Sequence, residues 1–158
     1  MKLRHNIFVS SPFQDMHFER DMLHSVVVPE LVSYFSKKRL SVDLIDLRWG
    51  IDTSGDTSEQ ENTVKILKVC FDEIERSKPF FIGFIGERYG WIPNSNDIES
   101  AILGYNFDNE GREMSITEME MLYALQKFDT PENCLYQEFG KGQWDGAGHS
   151  RSAAPAYP

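Results

Sequence analysis

Apolar and polar positions alternate along the chain in two rhythms. A short apolar run at residues 7–9 meets a turn, "SSP", and reads as a buried parallel strand. From residue 13 to 38 apolar side chains recur at Phe18, Met22, Val26 and at Leu23, Val27, Leu31, Phe35, which is helical spacing. Pro29 lies inside that stretch and should kink or restart the helix. "LSVDLIDL", residues 40–47, reads as a second strand, less buried because polar residues interrupt it. A helix over residues 58–77 would carry Val64, Leu67, Phe71 and Ile74 on one face. "PFFIGFIG", residues 79–86, is apolar on both faces, as a central parallel strand must be. Residues 94–114, rich in Asn, Asp and Gly, read as one long loop. Ser115 and Glu118 form an S-x-x-E capping box that opens a last helix, with Met119, Leu122 and Tyr123 toward the core. A fourth strand is expected around residues 133–137.

This order, β-α-β-α-β-loop-α-β, predicts an α/β fold with a parallel sheet between helical layers. We expect a three-layer flavodoxin-like arrangement, strand order 2-1-3-4, with a fifth strand missing. Residues 1–138 would form the domain. Residues 139–158 contain no Ile, Leu, Val or Met and read as a flexible or non-native tail.

In such a sheet the carboxyl ends of the strands share one edge, where ligands bind. Three segments should meet there: Ser10-Ser11-Pro12-Phe13 with Asp15, Arg48-Trp49-Gly50, and Glu87-Arg88-Tyr89-Gly90-Trp91. The helix beginning at Ser115 points its start, with Glu118 and Glu120, at the same edge. Flat rings, arginines and carboxylates in one crevice suit a nucleotide or a sugar. Structural readings stay open beside the chemical ones. Glu118 is accounted for by the capping box, and an exposed helical Glu120 needs no special role. Trp49 and Trp91 either stack on a ligand or pack loops on the sheet. Arg48 and Arg88 either hold phosphates or bridge Asp15, Asp46 or Glu87. Asp15 either lines the site or caps the first helix. His5, His17, His24 and His149 read as surface or packing residues.

Composition narrows the function. The formal net charge of −9 over 158 residues argues against nucleic acid and against an anionic membrane surface as partners. Cys70 and Cys134 lack metal-ligand spacing and read as two reduced thiols, with no metal. No stretch resembles a signal peptide or a membrane span, so a soluble, cytoplasmic protein is expected.

Four motifs in order, "IFVSSPFQDMHFERD", "DLRWGI", "GERYGWIP" and "SITEMEMLYAL", resemble the amino-terminal TIR-like domain of large STAND-type proteins. Those proteins carry a NACHT module followed by WD or tetratricopeptide repeats, as in nephrocystin-3-like and telomerase-associated proteins. The resemblance covers residues 4–136. It departs at Pro12, where the family usually has Thr, and in the absence of the family's last helix and strand. It implies a signalling module, of the kind found in innate immunity, that assembles with itself or with other TIR-like domains and needs no cofactor. It also implies an alternative. Some TIR domains hydrolyse NAD with a glutamate early in the third major helix, and "EMLYAL" places Glu120 there. Its carboxylate would stabilise an oxocarbenium-like state as the nicotinamide–ribose bond breaks. Ser10, Ser11, Phe13, Asp15, Arg48, Trp49, Arg88, Tyr89, Trp91 and Glu118 would then line the substrate site.

Overall fold

Strand β1, Leu3–Ser10, carries β2, Leu40–Asp46, along its whole length, whereas β3, Phe81–Ile85, pairs only with its last three residues. That asymmetry explains the burial of β1: its first residues are exposed, and Phe8, Val9 and Ser10 are covered. The computed structural model describes residues 3–12, 14–47, 59–109, 111–128 and 134–138. Strand β4, Cys134–Glu138, pairs with β3, giving a four-stranded sheet in the order β2-β1-β3-β4, parallel throughout. The strand order expected from the sequence is the one observed, and the apolar run at 81–85 is central in it. The tail at 139–158 lies outside the described residues.

The two faces of the sheet are filled unequally. Side chains alternate across a strand, so Phe8 and Phe81 point to one face and Val9 and Phe84 to the other. On the first face lie α3 (Glu59–Ser77), α4 (Ser95–Ile102) and α5 (Ile116–Lys127). Leu67, Phe71, Ile74, Ile98, Met119 and Tyr123 bury themselves there, with the Phe71 and Tyr123 rings stacked 4.3 Å apart. On the second face, α1 (His17–Met22) passes through a π-helical turn (Leu23–Val27) into α2 (Val28–Ser36). Here Val9, Met16, Leu23 and Phe84 make a small core, and no residue of α2 is fully buried.

Pro29 explains the π turn. It cannot donate to the carbonyl one turn back, and its ring crowds that carbonyl. The chain adds a residue to the turn, the Val28 N–H bonding to the Leu23 carbonyl, and places Pro29 in the first turn of α2. The restart expected at Pro29 is therefore observed.

One expectation fails. Residues 94–114 are not a continuous loop, because α4 occupies Ser95–Ile102. Asn94 caps it, its side chain accepting from the Asp97 N–H at 3.1 Å. Ile98, Ala101 and Ile102 recur at helical spacing and pack into the larger core. Their periodicity is masked in the sequence by the Asn and Asp residues that make the cap.

Candidate functional site

Ser10 ends β1 with its hydroxyl inside the fold, 1% exposed. It donates to the carboxyl of Glu120, one turn into α5. Glu120 is not the exposed helical residue that its sequence permits: it is 7% exposed. Burial pushes its carboxyl above the ordinary value of 4.5, while hydrogen bonds from Cys70 and Ser10 and the charge of Arg20 pull the other way. The Cys70 thiol, on the buried row of α3, is pushed up by the same burial and by Glu120 beside it. One carboxyl group thus ties β1, α3 and α5 together.

A second buried group adjoins it. Asp46, at the end of β2, accepts from Arg20 Nη2 at 3.1 Å and meets His24 Nε2 at 2.9 Å. The Arg20 and Asp46 side chains are buried, and His24 is partly open to solvent. Arg20 and His24 are one turn apart on α1 and the π turn, so both reach the same carboxylate. His24 is therefore a partner of Asp46, where spacing alone had made it a surface or packing residue. A cavity of about 30 Å³ lies between these groups, walled by Ser11, Arg20, Leu47, Trp91, Thr117 and Glu120 among others. That is room for about one water.

The rim of the edge is built from the loop after β3. Asp15 accepts from the backbone N–H groups of Met16 (2.9 Å) and Arg88 (3.0 Å). The residue preceding α1 is Met16, in left-handed geometry with no side-chain cap, so Asp15 joins two loops rather than capping the helix. Gly86 permits this approach: a Cβ there would sit 2.8 Å from Met16 Sδ and nearer still to Asp15 Oδ2. The Arg88 guanidinium donates to Gln14 Oε1 at 3.1 Å on the surface. Trp91 is half-exposed, and its backbone carbonyl accepts from the Ile116 N–H at 3.0 Å, fixing the loop to the start of α5.

Half of the expected capping box forms. Ser115 accepts from the Glu118 N–H at 3.2 Å. The Glu118 carboxylate turns instead to the Tyr89 hydroxyl and to Arg112 Nη1, 3.4 Å away. Burial and the bond to Glu118 push the Tyr89 phenol up to about 12. The box therefore does not exhaust the role of Glu118, which pins the Tyr89 loop to α5.

The expected edge thus gathers Ser10, Ser11, Asp15, Arg88, Tyr89, Trp91, Glu118 and Glu120. Phe13, Arg48 and Trp49 lie outside the described residues. Sequence reasoning missed Arg20, Cys70 and Thr117 as neighbours of Glu120. The signal for Arg20 was a charged residue on the helix row that also holds Leu23. No group of acidic, histidine or cysteine side chains among the described residues is arranged to hold a metal ion. Among the same residues, no helix is long and apolar enough to cross a membrane.

A family model described as "Domain of unknown function (DUF4062)" matches residues 6–137. The chain belongs to that family. It is 40% identical over 124 residues to telomerase protein component 1 of Mus musculus, covering 77% of this chain and 4% of that protein. It is 33% identical over 141 residues to a TPR repeat-containing protein of Dictyostelium discoideum, covering 82% of this chain and 8% of the relative. It is 30% identical over 89 residues to NACHT domain- and WD repeat-containing protein 1 of Mus musculus, covering 53% and 5%. The chain therefore spans less than a tenth of these relatives. The motif resemblance to NACHT-associated and repeat-containing proteins agrees with these matches. No solved structure matches the chain.

Proposed function

We propose that this chain is a TIR-like signalling module, flavodoxin-like in fold, whose task is protein–protein assembly within a large NACHT- or repeat-containing protein. The fold assignment is supported by the parallel order β2-β1-β3-β4. The context is supported by relatives whose names carry NACHT, WD or TPR elements. The observation that carries the assembly role is the outer surface of α1 and the π turn: Phe18, Met22 and Val26 are 72%, 41% and 42% exposed. Side chains of this kind, grouped on one helix, mark interaction surfaces. The test is sedimentation velocity and cross-linking of the chain, alone and co-expressed with a related module, as wild type and as Met22→Glu. Complexes that vanish in the variant are the expected result. Complexes that persist unchanged, or none at any concentration, overturn the role.

A second reading makes Glu120 the catalytic carboxylate of an NAD nucleosidase. It is favoured by a buried carboxyl with a raised pKa, at the wall of a small cavity that Arg20 and Trp91 also line. The present cavity is far smaller than a dinucleotide, so this reading also requires the edge to open. Nicotinamide release from NAD, present in the wild type and lost in Glu120→Gln, would replace the assembly reading with this one.

A further inference from the structure

The outer surface of α1 has a charge pattern as well as an apolar row. Arg20 and Leu23 are 2% and 7% exposed and define the side that faces the sheet. Phe18 and Met22 are each two residues from Arg20, about 200° round the helix at ~100° per residue. They therefore lie on the side away from the sheet, and Val26 continues the row one turn on. Glu19 and Asp21 are each one residue from Arg20, so they border the row on its two sides. Glu30 stands on the exposed surface of α2 beyond it. The result is a strip of three apolar anchors between carboxylates, on a chain whose net charge is −9.

We infer that this strip is the docking site of a basic amphipathic helix, one with apolar residues a turn apart and Lys or Arg beside them. The inference rests on the assembly reading above and names its partner. Anchors at i, i+4 and i+8 match the ridge of a second helix. The acidic borders decide which helix. Two copies of this chain joined through the row would set Glu19 and Asp21 of both along one seam, and like charges there act against pairing. Lys or Arg in the same places are attracted on both sides, and steer encounter.

The probe is a synthetic helical peptide of about five turns, with Leu on one stripe and Lys on the flanks, measured by fluorescence anisotropy against the full chain. Its counterpart carries Glu in place of Lys. The Lys peptide is expected to bind and the Glu peptide not. Met22→Glu should weaken binding tenfold or more, about 1.4 kcal/mol, and Glu19→Lys should weaken it severalfold. Glu99→Lys makes the same charge change at an exposed position of α4 and should leave binding nearly unchanged. Circular dichroism checks the fold of each variant, and Val26→Gln repeats the test more gently. An equal loss in Glu99→Lys, or none in Met22→Glu and Val26→Gln, overturns the inference. Dimers that dissociate in Met22→Glu while both peptides are ignored also overturn it, yet leave the assembly role standing. Row variants that alter neither peptide binding nor any complex remove both.

Discussion

The two faces of the sheet solve the same problem with very different means. Among the described residues, sixteen buried side chains form the core under α3, α4 and α5, and four form the core under α1 and the π turn. The first face is sealed by three helices and a set of interlocked rings, Phe71, Tyr105, Phe107 and Tyr123. The second is covered by one helical rod that touches the sheet with a narrow row and leaves the opposite row exposed. Stability and candidate chemistry concentrate on the first face, where Glu120 and Cys70 sit. The second face is thin, and the outer row of its helix, Phe18, Met22 and Val26, stays exposed.

Truncating equivalent leucines measures this contrast most directly. Leu67→Ala, at a fully buried position, should cost about 3–5 kcal/mol in urea unfolding, and Leu23→Ala nearer 2–3 kcal/mol. If Leu23→Ala costs as much, the second face is not the weaker one. Gly86→Ala tests the junction between the faces and should cost about 1–3 kcal/mol, because Asp15 and Met16 must shift. Tolerance of alanine there would mean that the contact is loose.

Glu120 sharpens the comparison through pH. Its carboxyl titrates above the ordinary value of 4.5 in the folded chain, so the folded state holds the proton more tightly than the unfolded state. This contribution is fully present below the unfolded value and is lost as pH rises through the raised folded value. The stability of the wild type relative to Glu120→Gln should therefore fall with rising pH above about 4.5. A difference that stays flat, or rises, contradicts a buried carboxyl. Ser115→Ala removes the α5 cap and should cost about 1 kcal/mol by thermal unfolding. Met22→Glu, on the open row, should change the stability of the isolated chain by no more than about 0.5 kcal/mol. A large loss there would place Met22 in a core rather than on a docking surface.

Much of the framework was legible because it depends on local patterns. The run at 81–85, the row Leu67-Phe71-Ile74, the restart at Pro29 and the Ser115 cap each follow from spacing within a few residues. Helix α4 was harder to read, since its capping Asn and Asp resemble loop composition and its apolar row is short. The gathering of Ser10, Tyr89 and Glu118 at one edge followed from the parallel order, which places all strand ends together. The identities of their partners did not follow. Nothing within five residues of Glu120 indicates that Ser10 and Cys70 will reach it, and nothing near Asp46 points to His24.

What the sequence by itself determined is the elements other than α4, their parallel order and the family, because these depend on periodicity, turn chemistry and motifs within one stretch of chain. What only the tertiary structure decided is which side chains lose water. Glu118 and Glu120 lie two residues apart on one helix, yet one remains at the rim with Tyr89 and Arg112 and the other is enclosed by Ser10, Cys70 and Arg20. Their chemistry diverges because burial removes the solvent that stabilises a charge, and burial is a property of three elements meeting, not of the helix that carries them.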